Sequence, residues 1–313
     1  MTQTYVVTGA GPVGWTVTEQ LADAGHRVRV LTRSGSGPER EGVERLAVDA
    51  GDPAALSDAV TGAAALFHCI HGTAYAARTW REELPKADRV VMDAAGAAGA
   101  VAVFPESLYS YTDSTRPMTE DNPRNRPGGK SAVRAELLHG RAEHPTPTVS
   151  VVASDFVGPR VATSHMGERI VPPVLAGKKV RVLGSLDQPH SWTYVPDLAR
   201  AMITAARREE LWNSVLHAPT AAPRTQREMV HAFADAAGVQ IPEPGLIPSW
   251  VMRGIGLVHP GTREVAEMLY QFENPFVLDS THSQELLGFA PTPTEQVAAE
   301  TVAWWRAEAS RRR

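Results

Sequence analysis

One cysteine, Cys69, stands in 313 residues. A disulfide within the chain is therefore excluded, as is a zinc site built on several cysteines. Cys69 falls in an apolar run, where a thiol packs as a small hydrophobic side chain. No apolar stretch approaches the roughly 18–20 residues of a membrane span. Charge of one sign is not in excess either. The net charge of −4 gives no general electrostatic case for nucleic acid or an anionic membrane as partner. Arg311-Arg312-Arg313 reads as a frayed tail. There is no H-E-x-x-H or comparable metal constellation, and there are no internal repeats. The first strand pattern starts almost at Met1, so no signal peptide is expected and the expected location is cytoplasmic. The rest of the composition, 43% hydrophobic and 21% charged, is that of an ordinary globular chain.

What the chain does have begins at Val6. Val6-Val7-Thr8 reads as a buried strand running into Gly9-Ala10-Gly11-Pro12-Val13-Gly14, a match to G-x-G-x-x-G. The three glycines have separate tasks: a tight turn, close approach of backbone to a pyrophosphate, and close packing of helix on strand. The helix expected over Trp15 to Ala24 then turns free N–H groups and a positive dipole end toward phosphate. After the second strand, Val28 to Leu31, a site for NAD usually carries an acidic residue that holds the ribose hydroxyls. Here Arg33 follows, within Thr32-Arg33-Ser34-Gly35. A guanidinium attracts a 2′-phosphate, so the expected cofactor is NADPH/NADP+.

Strand and helix patterns alternate through the first half. Strands are expected at Gly42 to Asp49, Ala64 to Ile70, Ala100 to Pro105 and Thr148 to Ala153. Helices are expected at Ala54 to Thr61 and from Thr73 to Gly99, the latter kinked or divided at Pro85. Such alternation demands an α/β fold, a doubly wound parallel sheet of Rossmann type. Thr112 to Gly129 is a long polar loop, and long loops are usually functional or mobile. Asp197 is expected to cap a helix from Leu198 to Arg208, and further helices are expected at Thr225 to Ala237, Pro260 to Tyr270 and Thr294 to Ala307. The expected organisation is a cofactor domain over 1–158 plus about 191–218, and a smaller, discontinuous substrate domain over about 159–190 and 219–313.

The order of these signals resembles the short-chain dehydrogenase/reductase superfamily, in its extended, epimerase/dehydratase-like branch. Asp49-Ala50-Gly51-Asp52 is similar to that family's D-x-x-D after the third strand, which implies that Asp49, with Ala50, holds the adenine amino group. Leu66-Phe67-His68-Cys69-Ile70 resembles the fourth strand beside the cofactor ribose and brings in His68. Trp192-Thr193-Tyr194-Val195-Pro196-Asp197-Leu198-Ala199 looks like the family's "yVdDvA" signature. Phe289-Ala290-Pro291-Thr292-Pro293 with Trp304-Trp305 resembles its C-terminal ending.

The resemblance implies chemistry by Ser, Tyr and Lys, with the last two spaced Y-x-x-x-K. Ser107, four residues before Tyr111 in Ser107-Leu108-Tyr109-Ser110-Tyr111, fits the serine. Lys130 fits the lysine that touches ribose. Four residues before it stands Arg126, not tyrosine. Reducing a ketone places negative charge on oxygen, which needs a proton or strong hydrogen bonds. A guanidinium holds its proton too tightly to give it. Three sources remain open: Tyr109 or Tyr111, a relay through Ser107 or water, or a phenol carried by the substrate beside its own ketone. His68 and His71 lie near the same place, where packed or solvated imidazoles are the simpler reading.

Family members acting on nucleotide sugars carry "RxxNvyGP" after the sixth strand. Here Val152 replaces the Arg and Asp155 the Asn, and His190 stands where an Arg precedes the later signature. An Asp repels a diphosphate, so a nucleotide sugar is not expected. Asp155, Phe156, His190, Trp192 and Ser107 are instead the candidate contacts to a flat aromatic substrate, although core packing explains each aromatic equally well. These departures together resemble the atypical ketoreductases of bacterial aromatic-polyketide (angucyclinone) pathways. The implied activity is NADPH-dependent ketone reduction in antibiotic biosynthesis. The alternatives are an epimerase or dehydratase on a small non-nucleotide substrate, and a non-enzymatic NADP(H) sensor.

Overall fold

The computed structural model describes residues 2–311. The chain opens with β1 (Thr4–Thr8), α1 (Pro12–Asp23), β2 (Arg27–Thr32), β3 (Val43–Ala47), α2 (Pro53–Val60), β4 (Ala65–His68), α3 (Ala77–Ala97), β5 (Val101–Ser107), α4 (Gly129–Glu143) and β6 (Thr148–Ala153). It continues through β7 (Asp155–Val157), α5 (Val171–Leu175), β8 (Arg181–Leu183), β9 (Trp192–Tyr194), α6 (Val195–Ala206), β10 (Ser214–His217), α7 (Gln226–Ala237) and β11 (Gly245–Ile247). Five helices finish it: α8 (Ser249–Gly256), α9 (Pro260–Ala266), α10 (Tyr270–Glu273), α11 (Thr281–Leu287) and α12 (Thr294–Arg311).

Seven strands form one parallel sheet in the order β10-β6-β5-β4-β1-β2-β3. This is the doubly wound α/β fold of Rossmann type. Side chains alternate across each strand, so Tyr5 and Val7 face one core with Val28, Val30, Phe67, Val103 and the helices α1 and α6, packed through Val17, Leu198 and Met202. Val6, Leu66, Ala102 and Phe104 face the other, under α2 and α3 through Leu56, Val91 and Met92. A sheet covered on both faces explains the continuous apolar runs that mark its strands. The strand order reverses between β1 and β4, and the crevice beyond their C-terminal ends is where open α/β sheets take ligands. A second lobe packs α5, α7 and α12 around Val182, Phe233, Phe272 and Trp305. Two short parallel pairs, β8 with β11 and β7 with β9, belong to this side.

Three expectations need correction. Pro85 does not divide its helix; α3 runs unbroken from Ala77 to Ala97. The ring removes one backbone hydrogen bond, and burial of Trp80 and Leu84 before it and Val91 and Met92 after it offsets that loss. Asp197 does not cap α6, which begins earlier, at Val195, with Pro196 in its first turn. Its carboxylate instead accepts from the Thr292 N–H (2.7 Å) and hydroxyl (3.0 Å), tying the C-terminal segment to α6. The helix expected over Pro260 to Tyr270 is two pieces, α9 and α10. The helix expected over Thr225 to Ala237 is α7, and Thr225 precedes it as its cap in a reciprocal box with Glu228.

Candidate functional site

The turn after β1 is built by its glycines. Gly9 has a φ of +86°, open to glycine at little cost, and a side chain there would press on Ile70 and the Cys69 carbonyl. A Cβ on Gly14 would run into the Gly9 carbonyl, so this glycine sets how closely α1 packs on β1. A Cβ on Gly11 would meet nothing within 4 Å. That position faces open crevice, at the N-terminus of α1, where Pro12 and Val13 begin the helix and no side chain caps it. Arg33 is exposed in the turn after β2 and makes no hydrogen bond or ion pair among the described residues. Asp49 accepts from the Gly51 N–H at 2.9 Å through one carboxylate oxygen, beside buried Ala50. A cradle without side chains and an uncapped helix end fit the pyrophosphate of a nicotinamide dinucleotide.

The opposite wall rises from β5, α4 and the C-terminal helices. Ser107 ends β5, and its N–H donates to Glu106 at 2.8 Å, with its hydroxyl 3.4 Å from the same oxygen. Glu106 is buried and shares Arg141 with Asp88: Arg141 donates to Asp88 at 2.6 Å and to Glu106 at 2.9 Å. Arg134 reaches Glu106 at 3.3 Å and donates to His71 Nε2 at 2.8 Å. A guanidinium has no acceptor, so His71 Nε2 is unprotonated in that contact. Burial, then the Arg134 charge, lowers the His71 pKa to about 4. His68, held by Thr8 Oγ1 at 2.8 Å, is likewise lowered to about 4 by burial. Both imidazoles are neutral at pH 7 and hold no proton for a ketone. Burial pushes the Cys69 thiol up to about 12, which leaves it inert.

Lys130 is fully buried at the start of α4, but two carboxylates hold it. Its Nζ donates to Glu264 and to Glu267, each at 2.6 Å, and its N–H donates to Glu267 at 2.9 Å. Burial opposes ionisation of Glu264, but the bonds from Lys130 and the Ala77 N–H leave its carboxyl below the usual range. The same ammonium lies 4.9 Å from the centre of the Tyr75 ring. Tyr75 and Tyr109 hydroxyls are 3.3 Å apart, and Tyr109 stacks on Trp80. Burial, then its neighbours Tyr75 and Asp155, raises the Tyr109 pKa well above the ordinary phenol. Tyr111 is turned into the core, its hydroxyl 2.5 Å from His217 Nε2, and burial pushes it up to about 12. The structure thus sets Ser107, Tyr109 and Lys130 around one wall and points Tyr111 away from it.

Asp155 and His190 come together at the end of β7. His190 Nε2 is 2.8 Å from an Asp155 oxygen, and its Nδ1 is 3.1 Å from the Gln271 carbonyl. A carbonyl only accepts, so Nδ1 donates there. The second nitrogen faces the carboxylate. The His190 ring is stacked among Trp192 (4.3 Å), Phe272 (5.1 Å) and Phe276 (5.3 Å). The Trp192 indole donates to the Arg224 carbonyl, and Phe156 packs against the main core. Sequence reasoning did not find Glu106, Arg141, Tyr75, Glu264, Glu267 or Tyr270. Only Glu106, adjacent to Ser107 in an otherwise apolar strand, left a local signal. No group of three His, Cys, Asp or Glu able to hold a metal occurs among the described residues, and none of their helices is long and apolar enough to cross a membrane.

Comparison with known proteins agrees with this geometry. A search of the curated proteins finds no match. Among solved structures, the UDP-glucose 4-epimerase of Thermotoga maritima superposes with a TM-score of 0.77 at 17% identity, covering 98% of this chain and 100% of that one. The WbmH enzyme of Bordetella bronchiseptica, solved with NAD+, gives 0.75 at 17%, covering 98% and 99%. The dTDP-glucose 4,6-dehydratase DesIV of Streptomyces venezuelae, solved with NAD, gives 0.76 at 17%, covering 98% of each. At such identities the likeness is one of fold. The model of the NAD dependent epimerase/dehydratase family matches residues 5–214, two-thirds of the chain. The chain belongs to the NAD-dependent epimerase/dehydratase family.

Proposed function

We propose that the protein is an NADPH-dependent ketoreductase acting on a flat, hydroxylated aromatic ketone, of the angucyclinone type made in antibiotic biosynthesis. The observation that carries this reading is the Asp155–His190 pair set among Trp192, Phe272 and Phe276. The rings are buried against one another, and the partly exposed carboxylate beside them would disfavour the diphosphate of a nucleotide sugar. When bound, the reduced nicotinamide supplies a hydride. Gly9, Gly11, Pro12, Val13 and Gly14 would hold its pyrophosphate, Arg33 its 2′-phosphate, and Asp49 with Ala50 its adenine. His68 lines the floor as a neutral imidazole. Lys130 reaches a ribose only after Glu264 and Glu267 give way. Ser107, anchored on Glu106, would hold a carbonyl oxygen.

The capture of Lys130 by two carboxylates also favours a rival, a protein that binds NADP(H) without turning it over. Purified protein with NADPH and a panel of hydroxylated quinones and ketones, followed by cofactor absorbance, decides. Oxidation of NADPH with one equivalent of alcohol formed supports the reductase. Turnover of substrate without net NADPH loss supports an epimerase or dehydratase. Tight NADPH binding with no reaction on any member supports the sensor, and either of the last two results overturns the proposal.

A further inference from the structure

The family's acid is a phenol at the position that Arg126 fills, and six tyrosines are available to replace it. Five have their hydroxyls engaged. Tyr5 bonds Gln3 (2.7 Å), Tyr75 and Tyr109 meet each other (3.3 Å), Tyr111 meets His217 (2.5 Å), and Tyr194 bonds Glu300. The sixth, Tyr270, has its hydroxyl buried with no hydrogen bond of proper geometry. A buried donor left unpaired destabilises the fold, and such a group calls for an explanation. Its position supplies one. The Arg126 guanidinium carbon lies 3.8 Å from the centre of the Tyr270 ring, so the phenol rests on the residue that took its place in the sequence. The ring also meets Phe276 edge-on at 6.0 Å, in a cluster that includes Leu108, the residue after Ser107, and Tyr109.

We propose that Tyr270 supplies the proton that position 126 cannot, and that Arg126 holds and acidifies it through the face of its ring. This rests on the reductase reading above. In the usual pair a lysine ammonium eases ionisation of the phenol; here a guanidinium over the π face favours the phenolate by the same charge effect. The charged and titratable groups around Tyr270 are Arg126 from the loop before α4, Glu267 after α9, Asp155 on β7, and the phenols Tyr75 and Tyr109, with Ser131 of α4 beside the hydroxyl. Burial raises the phenol above its ordinary value, while Arg126 and then Ser131 pull it back. In the reaction the carbonyl carbon gains the hydride and the π pair of the C=O bond moves to oxygen. That oxygen takes the Tyr270 proton. The ketone is reduced by two electrons, the reduced cofactor is oxidised, and the phenolate recovers its proton from water.

Two variants test this, Tyr270→Phe and Arg126→Gln. With a ketone that the wild type reduces, Tyr270→Phe is expected to lower kcat by about 10²–10⁴-fold, the usual worth of a general acid, with the NADPH dissociation constant held within about twofold. A kcat within about threefold of wild type overturns the proposal and moves the proton source to water or to the substrate's own phenol. The second readout needs no turnover. Tyrosine labelled at Cζ is titrated by NMR, with the Tyr270 resonance assigned by its loss in Tyr270→Phe. The ionisation midpoint is expected to rise in Arg126→Gln; an unmoved midpoint overturns the pairing. Should the wild type oxidise NADPH with no ketone, the reductase reading falls, and the titration still decides whether Arg126 acidifies Tyr270. Should Tyr270→Phe fail to fold, kcat of Arg126→Gln decides: a fall supports the proposal and wild-type turnover overturns it.

Discussion

The two sides of the crevice obey different logic. The glycine turn and Arg33 lie on adjacent strands and make few contacts of their own, and the crevice in front of Gly11 is open. The wall of Arg126, Lys130 and Tyr270 is assembled from distant segments, and its charges are already spent on each other. One side is a prepared receptacle and the other a set of internal bonds that a ligand must rearrange. The difference teaches that the glycine cradle is local to a motif, whereas the facing wall depends on how the C-terminal segment docks.

The largest expected effect falls on the second side. Arg141→Ala leaves Asp88 buried without its cation and Glu106 with Arg134 alone, and should lower unfolding free energy by about 3–5 kcal/mol in urea titrations. A loss below about 1 kcal/mol would mean that water or a shifted side chain replaces it, and the wall is not rigid. Next comes acid sensitivity at the floor. His68 is held near 4 by burial, against 6.5 for the free side chain. Below pH 6.5 the unfolded chain takes up a proton that the folded one refuses until about pH 4. The stability due to neutral His68 is therefore fully present above pH 6.5 and falls by about 1.4 kcal/mol per unit down to pH 4, then levels. Denaturation midpoints across that window should slope less in His68→Gln than in wild type, and parallel slopes would refute the assignment.

On the first side, Arg33→Ala should weaken NADPH binding by about 10–100-fold, the worth of one or two charged hydrogen bonds, and leave NADH unchanged. Equal losses for both cofactors in calorimetry would remove Arg33 from the 2′-phosphate. The smallest effect joins the two sides. Glu267→Gln weakens the grip on Lys130 and should tighten NADPH binding by about threefold, since net ion-pair energies at a part-exposed carboxylate are small. Weaker binding in that variant would show Glu267 helping the cofactor rather than competing with it.

The glycine turn and the alternation of the sheet were legible because both are local. A strand's apolar period and a turn's need for Gly9 and Gly14 are written within a few residues. The candidate site was less so. Asp155 and His190 were each singled out, but nothing in the sequence joins residues 35 apart into a hydrogen-bonded pair. Glu264, Glu267 and Tyr270 reach α4 from more than 130 positions away and sit in no motif. Tyr111 matched the expected spacing, yet the 3-10 turn from Leu108 to Ser110 carries it into the core toward His217. Pro85 and Asp197 misled because packing overrode a local preference in one case, and a long-range partner, Thr292, claimed the carboxylate in the other.

Gly129 deserves a last consequence. It opens α4 with a φ of +47°, and any Cβ there would collide with the Glu267 carboxylate. A side chain at 129 would push the Glu267 carboxylate, the far end of a flexible chain, away from the Lys130 N–H and ammonium that it accepts from. A relative with alanine in that place would hold its lysine by one carboxylate where this chain uses two.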